Sequence, residues 1–134
     1  MANNKSLDGK VVVVTGAGRG IGREIALLAA AEGAKVVVND PGVAADGSGT
    51  NAAPAEEVVE EIKKRGGTAV ANFETVAEAI PASKIIKQAI DTYGRLDGVV
   101  NNAGIGAVGD ISANDDEEWA RVLSVNVTGI ARVT

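Results

Sequence analysis

Thr15-Gly16-Ala17-Gly18-Arg19-Gly20-Ile21-Gly22 decides the fold, because of what stands on either side of it. Before it, residues 10–15 form a run in which Val11, Val12, Val13 and Val14 leave no polar face, as expected of a strand covered on both sides. After it, Ile21, Ile25, Leu28 and Ala29 recur at helical spacing, which predicts a helix with that stripe buried and its end near Gly33. Glycines between a buried strand and a helix let the backbone turn tightly and approach a pyrophosphate. The helix start adds unpaired N–H groups and the positive end of a dipole. The same glycine spacing by itself also marks tight turns with no ligand, so the rest of the chain has to decide.

Working outward, residues 35–39 read as a second strand and residues 40–54, rich in Gly, Ala, Ser and Pro, as a long loop. Ala55, Val58, Val59 and Ile62 restore a helical stripe, which Gly66-Gly67 ends before a third strand at 68–73. Ala82, Ile85, Ile86, Ala89 and Tyr93 line a further helix with Pro81 tolerated in its first turn, and 97–101 is the fourth strand. A last helix opens near Asp115, where Asp115 and Glu118 have capping-box spacing, and Trp119, Val122, Leu123 and Ile130 are its expected buried face, with Trp119 as core packing. This β-α-β-α-β-α-β-α alternation has no internal repeat and no linker. Right-handed crossovers make it one α/β domain over 1–134, a Rossmann-type doubly wound parallel sheet.

Composition fits that architecture and narrows the partners. The apolar content is 46%, and most of it is Ala, Val and Ile, with single copies of Phe, Trp and Tyr, which suits closely packed layers. A net charge of -5 argues against a nucleic-acid footprint built from clustered Lys and Arg. With no Cys and no His, disulfides and most zinc and iron sites are excluded. No apolar run approaches the ~20 residues that span a bilayer, and a soluble, cytoplasmic protein is the expectation.

Asp40 turns the glycine spacing into a stronger signal. It stands at the end of the second strand, 18 residues after Gly22, close to the offset of about 20 at which a carboxylate meets an adenosine ribose. A carboxylate there accepts from both ribose hydroxyls and repels a 2′-phosphate, so it selects NAD over NADP. The competing reading is a solvated loop Asp before Pro41. Arg19 pulls the other way, since a guanidinium beside the phosphates suits a 2′-phosphate, but it is equally at home facing solvent.

Thr15-Gly16-x-x-x-Gly20-x-Gly22, together with Asn101-Asn102-Ala103-Gly104 after the fourth strand, resembles the short-chain dehydrogenase/reductases. The resemblance runs from Leu7 onward and covers about the first half of a typical member. The family domain is therefore expected to be cut short after the fourth strand and its following helix. Val38-Asn39-Asp40-Pro41-Gly42 and Val70-Ala71-Asn72-Phe73 look closest to the hydroxyacyl-CoA dehydrogenase domains of multifunctional enzymes. The resemblance implies an NAD-linked oxidoreductase acting on a secondary alcohol or ketone, a 3-hydroxyacyl thioester among the candidates, and a homo-oligomer when complete. It implies cofactor contacts from Gly16, Gly18, Arg19, Gly20, Ile21 and Gly22, the ribose on Asp40, and Asn102, Ala103 and Gly104 along the adenosine side. Glu74 stands where the family usually has an Asp reading the adenine amino group, and Thr75 and Val76 fit the pattern beside it. Asn101 and Asn102 also suit a structural role, tying loops by local hydrogen bonds.

Asn126 carries its own argument. It falls on the apolar stripe of the last helix, where an unpaired amide costs on the order of 1–3 kcal/mol, so something must satisfy it. The resemblance implies a catalytic role in ordering a water of the proton relay; a bond to neighbouring backbone is the alternative. The family's Tyr-x-x-x-Lys is not in these residues: the single Tyr is Tyr93, with Asp97 four residues on. The acidic run of Asp115, Asp116, Glu117 and Glu118 is a first turn favoured by the helix dipole. The chain by itself is thus expected to be inactive. A non-catalytic dinucleotide-binding module, or an interaction protein using an open sheet edge, are the other readings.

Overall fold

Alternate valines of each central strand serve two separate cores. In the computed structural model, which describes residues 5–44, 48–49, 51–110, 112–113 and 115–134, β1 (Val11–Thr15) lies between β2 (Lys35–Asn39) and β4 (Gly98–Val100). β3 (Thr68–Asn72) follows β2, giving an all-parallel sheet in the order β3-β2-β1-β4. Val12, Val14, Val36 and Val38 point to one face, where α1 (Gly20–Ala31) and α2 (Ala53–Lys64) cover them with Ala26, Leu27, Val58 and Ile62. Val11, Val13 and Val37 point to the other, under Ala82, Ile85 and Ala89 of α3 (Ala79–Tyr93) and Val133 of α5 (Gly129–Val133). This two-sided burial is why the strands read as unbroken apolar runs.

The chain runs from β1 out to β3 on one side and returns to place β4 on the other. The order therefore reverses between β1 and β4, and in open α/β sheets a crevice forms at the strand carboxyl ends there. At the opposite end Asp97 accepts the Val11 N–H at 2.8 Å and both Arg95 donors at 2.8 and 2.6 Å. The Arg95 hydrogen bond, and next the Val11 N–H, hold its carboxyl below the ordinary aspartate range.

Two expected buried faces are corrected. Ile21 and Leu28 of α1 are 74% and 65% exposed, while Gly22, Ala26, Leu27, Ala29 and Ala30 face inward. Four small residues and Leu27 form the contact with the sheet, with Ile25 packed partly against it, while Ile21 and Leu28 lie on the outside. The last helix has three parts, α4 (Asp116–Leu123), a π-helical turn (Ser124–Thr128) and α5. Trp119, Leu123 and Ile130 are 48%, 48% and 45% exposed, so Trp119 is not core packing. A π turn adds a residue to one turn and rotates everything beyond it, which takes Ile130 off a stripe drawn at a period of about 3.6 residues. Trp119 and Leu123 precede the turn, in a helix with no buried residue. The turn's run of Val125, Asn126, Val127 and Thr128 is rich in β-branched residues, which are weak formers of regular helix.

Smaller differences lie at the element ends. Phe73 falls outside β3 and is exposed, and β4 is shorter than the 97–101 run. The 40–54 loop gives way to α2 at Ala53, and residues 45–47 and 50 of it lie outside the described residues, as do residues 1–4 of the N-terminus. Among the described residues no helix is long and apolar enough to cross a membrane.

Candidate functional site

At the switch point the carboxyl ends of β1, β2 and β4 open into a cleft of about 460 Å³. Gly16, Arg19 and Asp40 form one side, Thr75, Val76 and Ala77 the floor after β3, and Asn102 to Ile105 the side after β4, with Arg121 and Val125 at the mouth.

The glycine turn is held too closely for side chains. Gly16 has φ +64, in the left-handed region, and a Cβ on it would meet Ala103 Cα at 2.8 Å. A Cβ on Gly22 would lie 2.4 Å from the Gly16 carbonyl oxygen and 2.5 Å from Asn102 Nδ2. Over Gly20, by contrast, nothing stands within 4 Å. Arg19 is the N-cap of α1 and makes no side-chain cap bond, and Gly20 and Ile21 at the start of that helix are exposed, while Gly22 is buried.

Thr15 and Asn102 knot β1 to β4. Thr15 Oγ1 donates to the Val100 carbonyl at 3.3 Å and accepts the N–H groups of Asn102 and Ala103 at 3.1 and 3.0 Å. Asn102 Nδ2 donates to the carbonyls of Thr15 and Gly16 at 3.2 and 3.1 Å. The structural role expected of Asn102 is therefore present beside its place in the cleft. Asn101 is exposed, and its Nδ2 donates to Thr134 Oγ1 at 3.3 Å.

Asp40 fastens the same turn from the other side. Its Oδ2 accepts the Gly18 N–H at 2.9 Å and its Oδ1 the Gly42 N–H at 2.7 Å. This fixes a carboxylate at the cleft rim next to the glycine turn, with further lone pairs on both oxygens.

Behind the floor runs a chain of amides. Asn39, fully buried, donates to Asn72 Oδ1 and to the Glu74 carbonyl, both at 2.8 Å. Asn72 donates to Gln88 Oε1 at 2.7 Å, and Gln88 to the Ala71 carbonyl at 2.9 Å. The chain shapes the turn after β3, whose Thr75 Oγ1 accepts the Ala77 N–H at 3.0 Å. The Glu74 side chain is not in the cleft lining; its Oε1 lies 4.0 Å from Lys84 Nζ. Asn126 Oδ1 accepts the Ile105 N–H and its Nδ2 donates to the Ile105 carbonyl, both at 2.9 Å. That two-point bond to neighbouring backbone satisfies the amide and pins the turn after β4.

Of the expected cofactor residues, Gly16, Arg19, Asp40, Thr75, Asn102, Ala103 and Gly104 come together around one cleft. Gly18 backs onto Asp40, Gly22 is buried beneath the turn, and Gly20 and Ile21 lie on the exposed first turn of α1. Thr15, Asn39 and Asn72 stand within the motifs quoted above but carried no role of their own there, and Arg121 stands in none of them. Asn39 and Asn72 are polar residues closing apolar strands, a signal that points to strand-end hydrogen bonding. Arg121 is one turn before Val125, which carries it to the same mouth.

The model of the short chain dehydrogenase family matches residues 10–134. The chain belongs to that family. The peroxisomal multifunctional enzyme type 2 of Mus musculus is 46% identical over all of this chain, which spans 18% of that protein. A short chain dehydrogenase from Mycobacterium avium superposes with a TM-score of 0.85 at 48% identity, over 95% of this chain and 44% of its own. A metagenomic short-chain oxidoreductase, solved in complex with NADP, gives 0.84 at 30% identity over 96% of this chain and 54% of its own. The chain thus spans about half, or less, of the length of these short-chain dehydrogenase relatives.

Proposed function

We propose that this chain is the dinucleotide-binding half of an NAD-dependent short-chain oxidoreductase. The observation that carries the reading is the Asp40 carboxylate, fastened by the Gly18 and Gly42 N–H groups at the rim of a cleft whose other side is the glycine turn. The residues present fit the cofactor. The space over Gly20 and the exposed start of α1 suit a pyrophosphate, Asp40 would take the ribose hydroxyls, and the Thr75–Ala77 floor would carry the adenine. When bound, NAD supplies the hydride acceptor. The chain's own residues would bind and orient it: Arg19, at the cleft lining, would stand near the phosphates, and Asp40 would oppose the charge of a 2′-phosphate.

The substrate we propose is a secondary alcohol or ketone, a 3-hydroxyacyl thioester among the candidates, supported by the 46% identity to a peroxisomal multifunctional enzyme. The test is turnover of such thioesters against simple alcohols by a form that also carries the family's Tyr and Lys; equal rates would remove the thioester preference. The single Tyr here, Tyr93, is packed beside Lys35, whose Nζ is 5.7 Å from its ring, and burial pushes its hydroxyl above the ordinary range. No Lys follows it at four residues. We therefore propose that these 134 residues bind without turnover, and oxidation above blank by the purified chain would refute that.

The binding reading is tested by calorimetric titration with NAD and NADP. The wild type is expected to favour NAD by about tenfold or more, the equivalent of ~1.4 kcal/mol, and Asp40→Ala to bring the ratio close to one. Equal affinities in the wild type would move the ribose contact away from Asp40. Tighter NADP binding would give the deciding role to Arg19.

A further inference from the structure

The floor of the cleft and its side after β4 are joined by the π turn, and the bonds that join them run through a residue outside the cleft lining. Arg132 Nη1 donates to the Ser124 carbonyl at 2.8 Å, to Ser124 Oγ at 3.0 Å and to the Val76 carbonyl at 3.3 Å. Ser124 Oγ in turn donates to the Ala77 carbonyl at 2.9 Å. Val76 and Ala77 form the cleft floor, so one guanidinium and one hydroxyl fasten the π turn to it. Two residues along the same turn, Asn126 grips Ile105 at both N–H and carbonyl, on the side of the cleft after β4. Gly129 permits the close approach: a Cβ there would lie 2.9 Å from Val76 Cγ2. Among the described residues no carboxylate is within ion-pair distance of Arg132, and its Nη1 is the atom that makes this clamp.

We propose that Arg132 is a positioning residue for dinucleotide binding: through Ser124 it holds the π turn on the Val76–Ala77 floor and thereby sets Asn126 on Ile105. A π turn is a weak element, commonly retained where a function depends on its displaced residues. A charged donor reaching two main-chain carbonyls is among the stronger hydrogen-bonding arrangements available to hold one. The proposal rests on the dinucleotide reading of the cleft.

The experiment combines NAD titration with amide hydrogen exchange on the full chain. Arg132→Ala is expected to raise the NAD dissociation constant by about fivefold or more. It should also speed exchange at the Ile105 amide and shift the Asn126 side-chain NH2 signal, while Val13 and Val37 in the sheet stay protected. Arg132→Lys, which keeps a charged donor, should recover most of the affinity. Wild-type affinity with unchanged Ile105 and Asn126 signals would overturn the proposal, and so would a loss that tracks a uniform fall in sheet protection. If Arg132→Ala does not fold, Ser124→Ala decides: a smaller shift in the same signals supports the clamp, and no shift overturns it. If the wild type binds neither NAD nor NADP, the cofactor reading fails by itself. The response of Ile105 and Asn126 to Arg132→Ala then decides for or against the clamp.

Discussion

The turn after β1 and the π turn between α4 and α5 both border the cleft, and they are held by opposite means. Around Gly16 and Gly22 the constraint is lack of space, because backbone from β1 and the turn after β4 comes within Cβ distance. Around Ser124 and Asn126 the constraint is directional, because side chains reach out to the main chain of two other segments. A site built by close approach fails by collision, and a site built by hydrogen bonds fails by leaving partners unmatched. The two should differ in which substitutions they tolerate.

The largest effect is expected at Gly22→Ala, whose methyl would fall on the Gly16 carbonyl and Asn102. Urea unfolding should show a loss of roughly 3 kcal/mol, and a loss below ~1 kcal/mol would mean the turn can shift away. Next is Thr15→Val, nearly isosteric, which removes the acceptor of two N–H groups and should cost about 2 kcal/mol. If that variant is as stable as the wild type, the knot between β1 and β4 does not depend on the hydroxyl. Trp119→Ala should cost no more than about 1 kcal/mol, since the ring is half-exposed. A loss of 3–5 kcal/mol, the range for a core Trp, would restore the core role read from its spacing.

The smallest effect concerns pH, at the far end of the sheet. Asp97 has a lowered folded-state pKa, so its contribution is present above the unfolded aspartate value and is lost as pH falls through the lowered one. Comparing wild type with Asp97→Asn between about pH 6 and 2, the stability gap should be widest near neutrality and narrow below about pH 4. A gap that widens on acidification would contradict the assigned partners.

Legibility in the sequence followed the same divide. The strands were readable because a residue buried on both faces has to be apolar, and Val11–Val14 and Val36–Val38 satisfy that without context. That the glycine turn and Asp40 stand together was readable because both close neighbouring parallel strands at a fixed spacing along the chain. The face of α1 was misread in part: Ala29 and Ile25 do pack on the sheet side, but Ala26 and Ala30 weigh little on a hydrophobicity scale although closeness to the sheet makes them part of the contact. In the last helix Ile130 was misread because a π turn changes the period before it, whereas Trp119 and Leu123 lie ahead of that turn on a helix the described residues leave uncovered. Asn126 was found through the cost of burying an amide; its partner, Ile105, lies 21 residues away and only the fold brings it near. Arg132 left no comparable trace, being one exposed-type residue among several until Ser124 and Val76 stand beside it.

The central claim is that the cleft at the switch point receives a nicotinamide dinucleotide. Following backbone amide resonances while NAD is added tests it most directly. Saturable shifts are predicted at Gly18, Gly20, Asp40, Thr75, Ala77 and Ala103, with Leu28 and Trp119 on the outer helix faces unmoved. Saturable shifts confined to those outer faces, or no saturable shift in a folded chain, would contradict it.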